Sequence, residues 1–250
     1  MKKALHFILF LSLISTLNAQ TSNLWTPQAI GLIPANHDIL SISVVNKDVV
    51  WAVADSTYTA PFPITHVPKI LKTTNGGTTW RVYKMTLATG RAGLEIHAID
   101  SMEAFVTGNS YNNRLPNELF KTSDGGTTWT SKATGYEASL FVRFFDAQNG
   151  IIWNRHRIAR TSNGGETWTG DNVIGFLSAE GFASASINNA CAVIGDSIWS
   201  GTTISRIAFS PNRGMSWLFQ DLRNVVNNFS NVVIIVSVAF KNARNGIVMG

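Results

Sequence analysis

One eight-residue signature occurs four times in the chain and fixes its architecture as an array of like units. Thr73-Thr74-Asn75-Gly76-Gly77-Thr78-Thr79-Trp80 recurs as Thr122-Ser123-Asp124-Gly125-Gly126-Thr127-Thr128-Trp129 and as Thr161-Ser162-Asn163-Gly164-Gly165-Glu166-Thr167-Trp168. Ser210-Pro211-Asn212-Arg213-Gly214-Met215-Ser216-Trp217 is a looser fourth copy. Successive tryptophans lie 49, 39 and 49 residues apart. A period of that length marks stacked or radially arranged units rather than one mixed core.

The signature has a mechanical reading of its own. A short Asx or hydroxyl side chain bonds nearby backbone N–H groups and fixes a tight turn, while glycine accepts the positive φ that other residues resist. Asn75, Asp124, Asn163 and Asn212, with Gly77, Gly126, Gly165 and Gly214, are therefore expected to be structural rather than catalytic or metal-binding. The flanks are short and β-prone, as in Lys69-Ile70-Leu71-Lys72 before the first turn and Arg81-Val82-Tyr83-Lys84-Met85 after it. Trp80, Trp129, Trp168 and Trp217 each begin the outgoing strand, where an indole can seal the seam between neighbouring sheets.

These residues resemble the Asp-box, or BNR, repeat, the hairpin signature of sialidases, sortilin-type propellers and the photosystem II stability/assembly factor family. Three copies fit the pattern fully, and the fourth has Met215 and Ser216 where Thr is usual. The resemblance implies an all-β fold, a β-propeller of four-stranded antiparallel blades with the box on each outer hairpin, away from the face where ligands bind.

A second recurrence supports the blade reading. Val142 to Trp153, through the Asp146-Ala147-Gln148-Asn149-Gly150 turn, is echoed by Val238 to Met249, with fainter echoes at Ile96 to Gly108 and Ile42 to Val53. Each is strand, Asx turn, strand, so each unit holds an inner pair of strands and an outer pair joined at the box. These inner pairs, and Ala179 to Ser186, resemble the non-photosynthetic secreted bacterial relatives of the assembly-factor family. The resemblance covers roughly Ile39 to Gly250 and breaks at Asn154-Arg155-His156-Arg157, where relatives carry a Gly-Asp-Pro turn.

The units fall at 38–87, 93–134, 138–172 and 180–222, with an incomplete fifth at 233–250. Propellers close with four to eight blades. A fragment of a six- or seven-bladed ring is therefore expected, with a closed five-bladed ring as the alternative. Residues 20–37 form an amino-terminal segment in which Asn23 to Pro27 could supply a ring-closing strand.

Lys2-Lys3, the apolar run Ala4 to Leu17 and the small residue Ala19 have the three parts of a secretory signal peptide, placing its end at residue 19 and the mature chain in the periplasm, at the cell surface or outside the cell. The run is too short to be a spanning helix, and no membrane insertion is expected. Hydrophobic residues make up 45% of the chain, enough for a core, and 20 glycines suit many turns. Charged residues are only 14%, and the formal charge of +5 drops to +3 once Lys2 and Lys3 leave, which argues against nucleic acid as a partner. Cys191 is the single cysteine, so no internal disulfide can form, and its apolar neighbours predict an inert buried thiol.

Function is expected on the inner strands and the connecting loops. Polar and apolar residues alternate there: Ser41 and Ser43 with Ile42 and Val44, Glu95 and His97 with Ile96 and Ala98, Arg143 with Val142 and Phe144. Period two sets the polar residues on one face. If that face looks into a central channel, Ser43, Glu95, His97 and Arg143, with Glu180 from the fourth unit, line one concave ligand site; otherwise they are solvated or pair with one another. On the channel reading, changes at His97 or Arg143 should weaken partner capture and leave stability intact. Arg155, His156, Arg157 and Arg160 make a small basic cluster that reads as a solvated hairpin tip, and Asn228-Phe229-Ser230 matches a glycosylation sequon. No dinucleotide fingerprint, phosphate loop or zinc-ligand spacing is present, so no cofactor and no metal is expected.

Two function classes follow. A non-catalytic scaffold would offer loops and a channel mouth to a protein or a glycan. A sialidase-like glycoside hydrolase shares the box but would need three arginines on the substrate carboxylate, an acid/base Asp and a Tyr nucleophile assisted by Glu. The Phe/Tyr-Arg-Ile-Pro stretch that usually supplies the first arginine is missing, and Tyr58, Tyr83, Tyr111 and Tyr136 fall in outer strands or connections. The scaffold is the expected class, with no catalytic residue assigned.

Overall fold

The computed structural model describes residues 27–56, 67–87, 91–110, 117–136, 141–173, 175–183, 190–223, 234–242 and 244–250. The signal segment 1–19, Asn23 to Thr26, Tyr58, Tyr111 and the Asn228 sequon lie outside them.

Among the described residues every regular element is a strand. The first unit holds β1 (His37–Val44), β2 (Val50–Ser56), β3 (Lys69–Thr73) and β4 (Arg81–Lys84). The second holds β5 (Arg91–Ala98), β6 (Ala104–Ser110), β7 (Glu118–Thr122) and β8 (Thr130–Ala133). The third holds β9 (Phe141–Phe144), β10 (Gly150–Trp153), β11 (Arg157–Thr161) and β12 (Thr169–Asn172), and the fourth β13 (Cys191–Ile194), β14 (Ser197–Gly201), β15 (Arg206–Ser210) and β16 (Leu218–Asp221). β17 (Ser237–Asn242) and β18 (Asn245–Met249) form a two-stranded fifth sheet. Each four-stranded sheet is an antiparallel meander in chain order, which is the blade of a β-propeller. First strands pack on one another, β1 on β5, β5 on β9 and β13 on β17, so the inner strands gather while the exposed β4 and β8 face outward. β1 and β17 do not meet, so the described strands leave the ring open.

The repeated signature builds the same corner in each of the four blades. In the first, the Thr73 hydroxyl accepts from the N–H of Gly77 at 2.9 Å, and Asn75 Oδ1 accepts from the N–H of Thr79 at 2.9 Å. Thr122 with Gly126, Thr161 with Gly165 and Ser210 with Gly214 repeat the first bond at 3.0, 2.9 and 2.8 Å. Gly77, Gly126, Gly165 and Gly214 all have φ between 78° and 96°, the left-handed region that the turn requires. The fourth box places Arg213 at φ 54° where the others have a second glycine.

Each corner is also tied to the inner turn of its own blade. Gly76 N–H donates to Asp48 O, Gly125 to Met102 O, Gly164 to Gln148 O and Arg213 to Asp196 O, at 2.8 to 3.0 Å. One edge of every blade is therefore bonded from inner turn to rim. The connections β2–β3, β4–β5, β6–β7 and β8–β9 leave from the opposite edge.

The core lies in the seams between blades rather than inside any one sheet. Trp51, Val53 and Ile70 of the first blade pack with Ile96, Val106 and Phe120 of the second, and Trp129 closes that seam. Leu119 and Phe105 meet Val142 and Phe144 beneath Trp168, with the Phe105 and Phe144 rings stacked at 3.6 Å. Trp153 and Ile158 meet Phe182 and Ile198 beneath Trp217, and Trp199 stacks on Phe240 at 4.5 Å in the seam with the fifth sheet. Trp80 packs on Ala29 and Ile33 of the amino-terminal segment, which covers the first blade's outward face.

Candidate functional site

The inner-strand polar residues come together, but inside the seams. Glu95 on β5 is 3% exposed; its Oε2 accepts from the N–H of Val142 at 2.8 Å and its Oε1 accepts from Arg143 Nη1. His97, two residues on and on the same face, holds Nε2 2.8 Å from the Phe144 carbonyl, so that nitrogen carries the proton. Ser43 on β1 is buried, and its Oγ accepts from the N–H of Ala98 at 2.9 Å. Ser43, Glu95, His97 and Arg143 thus join the first three blades in one continuous polar thread.

Glu180 does not belong to that thread. Its carboxylate is 2% exposed, accepts from the N–H of Leu177 at 2.8 Å, and pairs with Arg206 of β15 within its own blade. Ser43, Glu95 and Glu180 are buried: Glu95 meets Arg143 of the next blade and Glu180 meets Arg206 of its own, the pairing that the alternation left open. Period two places these groups on one face, and that face meets the next sheet rather than water. Changes at Arg143 therefore act on the seam first.

The electrostatics of this thread follow from its removal from water. Removal from water pushes His97 down to about 3, with Arg143 adding repulsion, so the ring is neutral throughout the ordinary pH range. Burial raises the Glu95 carboxyl above its ordinary value against the pull of Arg143. Desolvation pushes the Cys191 thiol up to about 12, which leaves it protonated and a poor nucleophile. Among the described residues no three His, Cys, Asp or Glu side chains come close enough to hold a metal ion. Tyr83 lies on the outer strand β4, and Tyr136 packs against the seam of the second and third blades.

Two features escaped the sequence reading. The residue before each of the first three box threonines is a cation, and Lys72 and Arg160 bond into the following blade. Lys72 Nζ donates to Ser101 O at 2.7 Å and to Gly125 O at 2.9 Å, and Arg160 Nη2 donates to Gly214 O. Lys121 pairs with Glu103 at 2.6 Å and lies against Gly164. Arg160 is thereby separated from Arg155, His156 and Arg157, which surround the exposed β10–β11 turn on the edge opposite the boxes. The spacing was visible as Lys72-Thr73, Lys121-Thr122 and Arg160-Thr161, although a strand cation next to a turn ordinarily reads as solvated.

The fourth blade has Phe209 at that position. Beside it a groove of about 460 Å³ runs between the fourth blade and the fifth sheet, lined by Trp199, Phe209, Phe219, Phe240, Arg244 and Val248 among others. No sequence signal marked it, because its lining is drawn from five strands between Trp199 and Val248.

No family model matches the sequence, and neither does any curated protein. Solved structures do resemble it. YCF48 from Cyanidioschyzon merolae shares 14% identity over 86% of this chain and 79% of its own, with a TM-score of 0.49. YCF48 bound to D1 peptide shares 15% over 86% and 91%, with a TM-score of 0.37. A GH43 β-1,3-galactosidase shares 10% over 80% of this chain and 49% of its own, with a TM-score of 0.51. At these identities a likeness is one of fold alone, and the propeller reading stands on the four-stranded blades of the chain itself.

Proposed function

We propose that this chain is a secreted, non-catalytic propeller scaffold that holds a protein or a glycan on the face opposite its Asp boxes. One observation carries the reading: the polar groups of the inner strands are committed to neighbouring blades. Glu95, Arg143, His97 and Ser43 bond one another's strands, and His97 stays neutral near pH 7. A general acid or base needs a route to substrate, and Glu95 and Ser43 are closed inside the seams. The face opposite the boxes carries the longer connections and the exposed Arg155, His156 and Arg157, as expected of a loop surface on a rigid frame. The amino-terminal Lys2 to Ala19 segment supports export.

The purified mature chain should leave fluorogenic sialosides and galactosides intact. It should retain a protein or glycan partner in a way that Arg155→Ala and His156→Ala weaken while the melting temperature is unchanged. Sialoside turnover abolished by Arg143→Ala in a chain that still folds would replace this reading with that of a hydrolase.

A further inference from the structure

Residues 175–183, which run from the third blade toward the fourth, carry features that a relaxed connection lacks. The chain folds back there at Leu177 to Glu180. The N–H of Glu180 donates to Leu177 O at 3.0 Å and the N–H of Leu177 donates to Glu180 Oε2 at 2.8 Å, so backbone and side chain close the same turn. Ala179 sits in it at φ 63°, a left-handed conformation that favours glycine. Gly175, two residues before the turn, has φ 106° and lies against the Phe219 ring. The Glu180 side chain is fully buried, and its Oε1 takes no hydrogen bond. Strain and an unsatisfied buried oxygen persist only where the surroundings hold them in place.

What holds this turn down is a cation with a second place to go. Arg206 Nη1 donates to Glu180 Oε2 and, at 3.4 Å, to Gly175 O, while its guanidinium lies 4.3 Å over the Phe219 ring. Across the β15–β16 ladder Arg206 stands opposite Asp221, whose carboxylate accepts from Arg223 Nε at 2.9 and 3.0 Å. Arg223 keeps Asp221 at about 2, with Arg206 adding to the pull, so that carboxylate is charged at neutral pH and able to accept more. On the other side, Arg155 Nη2 donates to Ala179 O at 3.4 Å and Arg155 O accepts from the N–H of Phe182 at 2.8 Å. A Cβ on Gly181 would strike Arg155 and crowd His156. Beneath the turn Phe182 meets both Phe176 and Trp217 with ring centroids 5.0 Å apart.

We propose that residues 175–183 form a strap with two positions, closed while Arg206 pairs with Glu180 and raised when Arg206 passes to Asp221. Closed, the strap fixes the Asn154–Arg157 turn through Arg155 and Gly181. Raised, it uncovers Phe176 and Phe182, releases Ala179 from its left-handed conformation and returns Glu180 to water, and the last two gains offset the lost ion pair. The strap regulates the loop face assigned above and so rests on that reading. A partner that grips Arg155 and His156 meets a different surface in each position and thereby shifts the balance between them.

Hydrogen exchange on the full chain tests the strap without any partner. Glu180→Gln should speed exchange at the Leu177, Glu180 and Phe182 amides about tenfold or more, the scale of one charge-assisted hydrogen bond, while the amides of Ile152 and Ala208 keep their rates. Asp221→Asn removes the second place for Arg206 and should slow the same three amides. Ala179→Gly relieves the turn in its closed position and should slow them as well. Unchanged or faster exchange after Asp221→Asn would overturn the proposal, because Arg206 would then have one partner only. So would a rise at Ile152 and Ala208 that matches the rise in the strap after Glu180→Gln, since the ion pair would then belong to the core. Partner capture that depends on Arg155 and His156 in a chain that fails these tests would leave the scaffold reading standing without the strap. A strap that passes them in a chain that captures nothing through those residues would leave the strap and remove the scaffold.

Discussion

The Thr122 hydroxyl shows how much of the fold rests on single groups. It is 1% exposed, accepts from the N–H of Gly126 at 3.0 Å and donates to Asp124 Oδ1 at 2.9 Å. Asp124 in turn is held down at about 2 by the hydroxyl and N–H of Thr128. Thr122→Val keeps the shape and strands the Gly126 N–H, which should cost ~1–3 kcal/mol in a urea titration. Thr122→Ser should cost little, because Ser210 performs the same bonding in the fourth box. His97 gives a pH dependence. Its folded pKa of about 3 lies below the unfolded 6.5, so the unfolded chain binds more protons between those values. That contribution is complete above pH 6.5 and is lost as pH falls toward 3. Melting curves across that window should be steeper for the unaltered chain than for His97→Gln; equal slopes would show that His97 is solvated.

At the scale of strands, what the sequence makes legible and what it hides divide along range. The corner at Thr73 to Trp80 is legible because all its bonds close within eight residues, so residue type at fixed offset suffices. The partnership of Glu95 with Arg143 spans 48 residues, and alternation along β5 cannot say whether the polar side meets water or β9. Glu180 and Arg206, 26 residues apart, were hidden in the same way. The thread can be tested by removing one partner. Arg143→Met leaves the Glu95 carboxylate buried and uncompensated, a loss of ~3–5 kcal/mol, whereas Glu95→Leu with Arg143→Met should recover most of it. Lys72→Met in the first seam takes the donor from Ser101 O and Gly125 O and should cost ~1–3 kcal/mol. If the double variant is no more stable than Arg143→Met, the pair contributes through contacts other than charge.

For the molecule as a whole, the seams make stability a nearest-neighbour property. Each core cluster joins two successive blades, apart from the one that joins the first blade to the amino-terminal segment. Arrays of this kind unfold in sections when one interface is weakened. Trp217→Ala empties the seam between the third and fourth blades and should release β13 to β18 first. Hydrogen exchange would then speed up across Cys191 to Met249 while His37 to Ala133 stays protected. Uniform loss of protection would mean that the blades melt as one unit. The tie between each box and its own inner turn carries a further consequence for anyone reshaping the protein. Those clasps make the box edge costly to alter, so a foreign epitope spliced between Gly76 and Thr78 would spring one and loosen its sheet from the rim inward.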